Sequence, residues 1–274
     1  MPDPVVSVVM PVHNVENFVT TAIQSIVEQT YEHWELIIVN DGSTDQTEQH
    51  ILPYLKDSRI KYVSNDKRAG VSVARNLALR IAKGDFICFL DGDDYLPFNS
   101  IKNRVDYLVD NPAIEFLDGW VFTFDENLAN KIRECKPTFR GNPKDEINKL
   151  SPSCLCAISW MIRKVKEKEY KFEEAMTHSE DVFFYYTIAQ TGRYDFLDEE
   201  IYRIRKRACS SMTDLNGLEM GYRLLFKNFR QYPISLKRLL YLRYRITRIM
   251  VLSYLKAGQV VNSVRALFTL PFMK

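Results

Sequence analysis

The chain of 274 residues is 46% hydrophobic and 26% charged, and its formal net charge at pH 7 is +2. This composition supports a full buried core and excludes a chain that is disordered throughout. No signal peptide is expected, and no apolar run reaches the roughly 18 residues that a membrane-spanning helix needs. The five cysteines are odd in number and scattered, so we expect free thiols in a reducing, cytoplasmic compartment, with core packing as the role of Cys154-x-Cys156.

The small net charge hides an uneven distribution. Residues 220–274 carry eleven Lys or Arg and no Asp or Glu, so that 26 of the 37 basic residues remain for the rest of the chain, against 35 acidic residues. We therefore predict a catalytic domain over residues 1–214, acidic as a whole, and a basic, amphipathic helical extension over residues 215–274.

Strand and helix patterns alternate regularly in the first half of the chain. Apolar, β-branched runs predict strands at 5–10, 35–39, 60–63 and 85–90, and amphipathic segments predict helices at 15–29, 45–56, 71–83 and 98–110, with Gly84 closing the third helix. This alternation predicts an α/β fold whose mostly parallel sheet is flanked by helices on both faces.

The second half is less regular. Its patterns predict strands at 114–124, 154–162, 195–197 and 200–205, a polar segment at 125–152 with a mobile loop and a short helix, and a helix at 181–190 opened by a capping box at 177–180. From residue 217 onward the pattern is helical and basic. No internal repeat is apparent, so one catalytic domain with an appendage is the expected organisation.

Polar residues follow three of the predicted strands. Residues 11–14, 40–45 and 91–94 each stand directly after a strand. Because ligands of parallel sheets bind beyond the carboxyl ends of the strands, we expect the three clusters to converge on one site.

The third cluster, Asp91-Gly92-Asp93-Asp94, places three carboxylates within four residues. Carboxylates this close repel one another unless a cation or water screens them, and Mg²⁺ and Mn²⁺ take oxygen ligands and keep substrate phosphates in their shell. Asp91 and Asp93 are therefore candidate ligands of a metal that binds a diphosphate. The alternative is a solvated acidic turn in which Gly92 supplies the bend.

Four motifs in this order carry a resemblance to a known family. They are Pro11-Val12-His13-Asn14, residues 39–45, residues 70–76 and residues 89–94. On these motifs, residues 1–94 closely resemble the family-2 inverting glycosyltransferases of the glycosyltransferase-A fold, of the type that serves bacterial glycan synthesis. His13 departs from the family, which often has Tyr there. The resemblance weakens after Asp110 and resumes at residues 180–181 and 202–203, which implies a nucleotide-binding half (1–94) and an acceptor half (95–214).

The resemblance implies a site for a nucleotide sugar. Pro11, Val12, Asn14 and Asp41 would line the nucleotide pocket, Arg68 would reach the base or the diphosphate, Arg75 would pair with a carboxylate at the metal, and Arg203 and Arg205 would hold the diphosphate. A carboxylate such as Asp41 can accept the imide N–H of uracil, a donor that cytosine lacks, so a UDP-sugar is the expected donor. The alternatives are an Asx-type turn at Asp41 and solvated surface positions for the arginines.

The resemblance also implies the groups that carry the chemistry. Asp91 would touch the ribose or the metal and Asp93 would ligate the metal, Mn²⁺ or Mg²⁺, with Gly92 between them in the same site. Asp181 would accept the proton of the acceptor hydroxyl as general base, and Glu180 would orient it. The alternative for this acidic pair is structural, because acidic residues are favoured in the first turn of any helix.

We therefore predict a metal-dependent inverting glycosyltransferase that moves a sugar from a UDP-sugar to a hydroxyl of a glycan or a polyprenyl-linked glycan. The alternatives are a catalytically idle glycan- or lipid-binding protein and, with less support, a sugar nucleotidyltransferase, which would favour a Gly-rich loop after the first strand. The basic helices would contact the inner face of the cell membrane or the acceptor, or else pack on the acidic body or on a second subunit. Nucleic acid is not an expected partner.

Overall fold

The computed structural model describes residues 3–207 and 213–270. Within these ranges eight strands form one sheet with helices on both faces. The strands are β1 (Val6–Val12), β2 (Trp34–Asp41), β3 (Ile60–Asn65), β4 (Phe86–Phe89), β5 (Phe116–Phe124), β6 (Lys131–Cys135), β7 (Met161–Arg163) and β8 (Tyr194–Arg205). The helices are α1 (Val19–Val27), α2 (Thr47–Ile51), α3 (Val71–Ile81), α4 (Ser100–Asp110), α5 (Lys144–Asn148), α6 (Glu180–Ile188), α7 (Leu215–Phe229), α8 (Leu236–Lys256) and α9 (Val260–Thr269).

The strands follow the order β3-β2-β1-β4-β7-β5-β6, and β8 also pairs with β5. Strands β1 to β4 run parallel to one another, β7 is antiparallel to both of its neighbours, and β8 is parallel to β5. Every residue of β1 and β2 is buried, as expected for central parallel strands covered on both faces. The predicted mostly parallel sheet is confirmed, and the carboxyl ends of β1, β2 and β4 open on one edge.

Two helices in the first half of the chain have other boundaries than the sequence predicts. Helix α1 begins at Val19 and not at residue 15, because the backbone N–H of Val15 donates to Thr47 Oγ1 at 2.8 Å and holds the preceding turn. Gly84 does not cap α3, which ends at Ile81. It lies against β1, where an added Cβ would come within 2.6 Å of the backbone nitrogen of Ser7.

Two strands of the second half differ from their predicted bounds. Only Met161–Arg163 lies in a strand, in place of 154–162, because Trp160 turns into the core and its Nε1–H donates to the carbonyl of Cys154 at 2.9 Å. The predicted strands at 195–197 and 200–205 are one strand, β8, whose register against β5 shifts between Asp118 and Trp120. Residues 198–200 are acidic and lie where the register shifts, so the sequence pattern did not predict one continuous strand.

Two cysteines are bonded to each other, contrary to the expectation of free thiols. Cys135 of β6 and Cys156 form a disulfide across 21 residues of sequence. Cys88 and Cys154 are buried and free, so the core-packing role holds for Cys154 and not for its neighbour. Cys209 lies outside the described residues. Spacing alone does not reveal a pairing that forms only when β6 meets the loop before β7.

Helices α7, α8 and α9 contribute to one of the two cores that flank the sheet. The ring of Phe229 on α7 contacts those of Phe183 and Tyr186 on α6, with centroids 6.0 and 4.2 Å apart, and Arg238 of α8 forms an ion pair with Asp145 of α5. The inner side of the extension therefore packs on the body, while the division of the chain into two parts stays a prediction. None of the described helices combines the length and the hydropathy that a membrane crossing requires.

Candidate active site

The loops after β1 and β2 are bonded to each other. The backbone N–H of Asn14 donates to Ser43 Oγ at 3.1 Å, and the Asn14 side-chain oxygen accepts the N–H of Thr44 at 2.8 Å. Asn14 has a left-handed φ of 51°, a conformation in which asparagine is enriched. Pro11 and Val12 complete β1 and are buried, so they form the floor of this edge of the sheet.

Asp41 ends β2 and holds the turn that precedes α3. Its carboxylate accepts the backbone N–H groups of Ala69 and Gly70, both at 2.8 Å, and the side-chain amide of Asn65 at 3.0 Å. These bonds leave about one of the roughly four acceptor positions of a carboxylate for a ligand. Asp41 thus has a structural role across two loops and not within an Asx turn of its own, and its contact with a base stays a prediction.

Arg68 lies in this same turn and is exposed. The turn packs against Gly42, where an added Cβ would lie 2.6 Å from the backbone nitrogen of Arg68. Gly42 also has a left-handed φ of 64°, so both space and conformation require glycine. The structure places Arg68 near the end of β2 but does not pair it with a carboxylate within the described ranges.

Gly92 lets the acidic turn (residues 91–94) approach the end of β1. An added Cβ would lie 2.6 Å from Val12 Cγ1 and 3.3 Å from Val15 Cγ2. A side chain does not fit into this gap, so the glycine allows Asp91 and Asp93 to lie against the loop after β1. The predicted convergence of the three polar clusters therefore appears in the structure.

Arg75 joins the acidic turn to α6. Its Nη2 donates to Asp91 at 2.9 Å and its Nη1 to Glu180 at 2.8 Å, with 4% of the side chain exposed. The ring of Phe172 lies 5.3 Å from the guanidinium carbon. Burial lowers the pKa of Arg75, but the charges of Asp91 and Glu180 outweigh burial and the pKa is raised overall. The alternative of a solvated surface position does not hold for this residue.

Asp93 pairs with a different arginine, Arg207, which follows β8. The Nη1 to Oδ2 distance is 2.8 Å, and each side chain is 23% exposed. Burial and the charge of Asp91 raise the pKa of Asp93, against the opposing effect of Arg207. Arg207 was not among the predicted site residues, although it continues the alternation of Arg203 and Arg205, which was the available signal.

Asp94 fastens the acidic turn to β8. Its Oδ2 accepts the hydroxyl of Tyr202 at 2.9 Å, and its Oδ1 accepts the backbone N–H of Arg205 at 2.8 Å. Burial and the charges of Asp93 and Asp91 raise the pKa of Asp94 well above its usual range. Through these two bonds Asp94 acts as a clamp between two segments that are distant in sequence.

The two predicted diphosphate ligands on β8 are engaged in other contacts. Arg205 is buried, and its Nε donates to the carbonyl of Asp93 at 2.8 Å. Arg203 forms an ion pair with Glu200 at 2.8 Å. The structure therefore brings Arg205 to the backbone of the acidic turn and leaves Arg203 in a pair of its own, while Arg207 contacts a carboxylate of the turn.

Asp181 and Glu180 stand in the first turn of α6. The predicted capping box is wrong, because the helix begins at Glu180 after Ser179, whose φ is 58° and whose side chain forms no cap bond, and the carboxylate of Glu180 turns to Arg75 instead. Burial, followed by the charge of Glu180, raises the pKa of Asp181 to about 6, against the opposing effect of Arg75. A carboxylate with a raised pKa suits general base catalysis near neutral pH.

The family model described as Glycosyl transferase family 2 matches residues 7–170, more than half of the chain. The chain belongs to glycosyl transferase family 2. The match includes Asp41, Arg75, Asp91 and Asp93 and ends before α6. Membership of this family makes the protein a nucleotide-sugar-dependent glycosyltransferase, as the motifs of the sequence predicted.

One relative and two solved structures place the family-2 transferase among known proteins. The Escherichia coli UDP-Glc:alpha-D-GlcNAc-diphosphoundecaprenol beta-1,3-glucosyltransferase WfgD is 30% identical over 69% of this chain and 71% of the relative. S. aureus TarS 1-349, solved in complex with UDP-GlcNAc, is similar with a TM-score of 0.70 at 21% identity, over 96% of this chain and 81% of that one. The mannosyltransferase PcManGT from Pyrobaculum calidifontis, solved with GDP-Man and Mn²⁺, has a TM-score of 0.65 at 15% identity, over 96% and 74%. The glycosyltransferase-A fold class is confirmed.

The acidic turn of the transferase has the chemistry that a hard divalent ion needs. Asp91 and Asp93 offer carboxylate oxygens on side chains that are 35% and 23% exposed. The described residues contain no group of three or more His, Cys, Asp or Glu that could hold a metal. Two carboxylates fit an Mg²⁺ or Mn²⁺ ion that completes its shell with diphosphate oxygens and water, and they do not fit a closed site made of protein ligands alone.

Helix α7 of the transferase supports the loop that leads to Asp181, a contact that the sequence analysis did not predict. An added Cβ at Gly221 would lie 2.5 Å from the carbonyl oxygen of His178, and one at Gly217 would lie 2.4 Å from Cε1 of His178. Burial and then the charge of Asp181 raise the pKa of Tyr222, on the same helix, to about 12. Two glycines four residues apart on one helix face were the available signal for this close packing.

Proposed function

We propose that the transferase moves a sugar from a UDP-sugar to a hydroxyl of a glycan carried on a polyprenyl diphosphate, by a single displacement that inverts the anomeric carbon. The observation that carries the proposal is the bridge through Arg75, whose two terminal nitrogens bond Asp91 and Glu180. In such a reaction the group that binds the donor diphosphate and the base that accepts the proton of the acceptor hydroxyl must be held on the two sides of one anomeric carbon. The bridge supports this arrangement, because it ties the acidic turn to the first turn of α6.

The proposed cofactor is Mn²⁺ or Mg²⁺, held by Asp93 and Asp91. An ion bound there would act as a Lewis acid that neutralises charge on the departing diphosphate. Arg207, 2.8 Å from Asp93, is placed to bind a phosphate oxygen once Asp93 has another partner. The Mn²⁺ complex of PcManGT supports a divalent ion in this fold.

Asp181 is the proposed general base. An acceptor hydroxyl is a poor nucleophile until a carboxylate within hydrogen-bond reach accepts its proton. With a pKa of about 6, Asp181 is ionised at pH 7 and more basic than an ordinary aspartate. Glu180, held by Arg75, positions this turn and contributes the negative charge that helps to raise the pKa of Asp181.

The proposed donor is a UDP-sugar. The name of WfgD specifies UDP-Glc, and TarS was solved with UDP-GlcNAc. The acceptor position that remains on Asp41 suits the imide N–H of uracil. The competing donor is a GDP-sugar, because PcManGT was solved with GDP-Man.

The proposed acceptor is a polyprenyl-linked glycan, which places the reaction at the inner face of a cell membrane. This proposal rests on WfgD, whose name specifies a diphosphoundecaprenol-linked GlcNAc as its acceptor. The family membership also favours a transferase over the idle binding protein and the nucleotidyltransferase considered from the sequence.

The test is the release of UDP from a panel of UDP-sugars, with Mn²⁺ and a GlcNAc-diphosphate-lipid acceptor. We expect turnover of one donor and a loss of about 10²- to 10⁴-fold in kcat for Asp181→Asn. Asp93→Ala should lose activity and its dependence on the metal concentration. Asp198→Asn, which alters an exposed carboxylate on β8, is the matched control and should retain full activity.

Each part of the proposal has its own contrary outcome. Turnover of a GDP-sugar alone would replace the proposed donor, and full activity of Asp181→Asn would exclude that residue as the base. Activity that persists in the presence of a chelator would exclude the metal. The stereochemistry of the product, read by NMR of the anomeric proton, tests inversion.

A further inference from the structure

Exposed apolar side chains of the transferase are concentrated on α8 and α9. Of the 18 exposed large hydrophobic residues in the described part of the chain, 11 lie between residues 236 and 270. Single exposed apolar residues are normal on any protein, whereas a contiguous group marks an interaction surface. This group therefore needs a partner.

The two helices present these residues on outward faces whose opposite sides are buried. On α8 the inward side carries the buried residues Leu242, Ile246 and Met250, and on α9 it carries Ser263 and Ala266. The outward residues define what we call the α8–α9 surface: Leu240, Tyr244, Leu252, Leu255, Val261, Val264, Leu267 and Phe268. On α9 the exposure is highest, since Val261 is 84% and Phe268 67% exposed.

A groove of about 590 Å³ connects the outward faces of the two helices. Leu240, Tyr244 and Leu252 of α8 line it together with Leu267 of α9. Arg243, Thr247, Arg248 and Val251 complete its walls. The lining is mostly apolar and its charges are positive, so the groove favours an apolar ligand that carries negative charge.

The charges around the α8–α9 surface are positive without exception in the described residues. Lys237, Arg248 and Lys256 are exposed, and residues 220–270 contain no Asp or Glu. These three cations form no ion pair within residues 3–207 and 213–270, whereas Arg238, on the side facing the body, pairs with Asp145. The outer cations are thus available to an anionic partner.

We propose that the α8–α9 surface binds an anionic phospholipid bilayer, with its apolar side chains in the interfacial region and with Lys237, Arg248 and Lys256 on the headgroups. Basic amphipathic helices lie in the membrane interface in this way, held by apolar burial and by attraction to anionic lipids. The inference deepens the proposed function and rests on it for its purpose, because a polyprenyl acceptor is available only at a membrane. Its observations come from α8 and α9 alone.

A second copy of the chain is a less suitable occupant. A symmetric contact through the α8–α9 surface would bring Lys237, Arg248 and Lys256 of one copy close to the same cations of the other. No carboxylate from residues 220–270 is present to balance them. Like charges across an interface are unfavourable, while phospholipid headgroups supply the opposite charge.

The experiment is flotation of the full chain with vesicles of phosphatidylcholine and phosphatidylglycerol, compared with vesicles of phosphatidylcholine alone. We expect binding to the anionic vesicles that weakens as the salt concentration rises. The double variant Val261→Asp/Phe268→Gln should remove most of the binding, because both side chains are exposed and their replacement does not disturb the core. The matched control, Phe98→Gln/Val109→Asp, alters two exposed apolar residues on another part of the molecule and should bind as the wild type does.

The charges are tested by Arg248→Glu/Lys256→Glu. Each cation near an anionic surface contributes an affinity factor of about five, so the double reversal should weaken binding by at least about 25-fold. Circular dichroism establishes that the variants remain folded. Release of UDP with a water-soluble acceptor should be unchanged in all of them, because no altered residue belongs to the candidate active site.

Two results would overturn the inference. The first is a wild-type chain that does not bind anionic vesicles, or that binds them equally with and without Val261→Asp/Phe268→Gln. The second is a dimer, seen by light scattering without vesicles, that this variant dissociates, which would assign the surface to a second copy. Both are distinguishable from failure of the proposed function, since donor turnover is measured separately from lipid binding.

Discussion

The guanidinium groups of two arginines contact carboxylates of the acidic turn, and they differ in burial. Arg75 is 4% exposed and is shared between Asp91 and Glu180, while Arg207 is 23% exposed and pairs with Asp93. Loss of a buried partner leaves a charge that water does not reach, whereas an accessible pair can exchange partners at little cost. We infer that Arg75 holds the frame of the site and that Arg207 changes partner when the donor binds.

The largest effect is expected from the loss of Arg75. We expect Arg75→Met to lower the free energy of unfolding by about 3–5 kcal/mol, since Glu180 loses its buried partner. We also expect kcat/KM to fall by at least about 100-fold, because the base and the acidic turn lose their common anchor. Denaturant unfolding and initial-rate kinetics measure the two effects. Arg80→Met, on the exposed side of α3, is the control, and an equally mild result at both positions would contradict the bridging role.

The position of the proposed base can also be altered without replacing either arginine. In Gly221→Ala the new Cβ must displace the carbonyl of His178, two residues before Glu180, since only 2.5 Å is available. We expect kcat to fall by about tenfold with little change in the KM for the donor, because the displacement reaches the base before it reaches the acidic turn. Met220→Ala, next to it and exposed, should behave as the wild type. A larger effect on donor KM than on kcat would argue against this path.

Loss of Arg207 should change the binding of the donor more than it changes stability. Arg207→Met removes an accessible ion pair, so we expect the free energy of unfolding to change by less than about 1 kcal/mol. We expect the KM for the donor to rise by about tenfold, which corresponds to one hydrogen bond to a charged phosphate oxygen. Arg193→Met, which alters an exposed arginine directly before β8, is the matched control. Destabilisation as large as that of Arg75→Met would end the distinction between the two arginines.

The two arginines should also differ in their effect on the pH dependence of activity. With a pKa of about 6 for Asp181, kcat/KM should be level above that pH and fall about tenfold per unit below it. Arg75→Met should move the midpoint upward, because it removes the positive charge that opposes the rise of this pKa, while Arg207→Met should leave it in place. The stability of the fold should depend on pH in the opposite direction to the activity. The folded pKa lies above the unfolded value of about 3.9, so the contribution of Asp181 to stability is present at acidic pH and is lost as the pH rises through about 6. Asp181→Asn should remove that loss in thermal unfolding scans.

The first half of the fold was predictable because its signals are local. β1 and β2 are buried throughout, and such runs read as parallel strands from sequence alone. The acidic turn was predictable for the same reason, since its position after a strand placed it at the ligand-binding edge. Family resemblance supplied the roles of Asp93 and Asp181, which no spacing would have assigned.

The remainder depends on contacts between distant residues. The pairing of Cys135 with Cys156, the ion pair of Arg207 with Asp93 and the seat of Gly221 on His178 each join segments that no local pattern connects. The predicted capping box failed for the same reason, because Glu180 binds Arg75 in preference to the helix end. Tertiary contacts override a local motif where a stronger charged partner is available.

The clamp at Asp94 has a consequence for how the chain folds. Asp94 bonds Tyr202 and Arg205, which lie 108 and 111 positions further along the chain. Contacts across so long a separation form late, because the intervening chain must first be closed into a loop. Strands β1 to β4 are complete by Phe89, so a nascent chain can build this sheet while the acidic turn is still unclamped. We infer that the acidic turn reaches its final geometry late in folding, after β8 has joined β5.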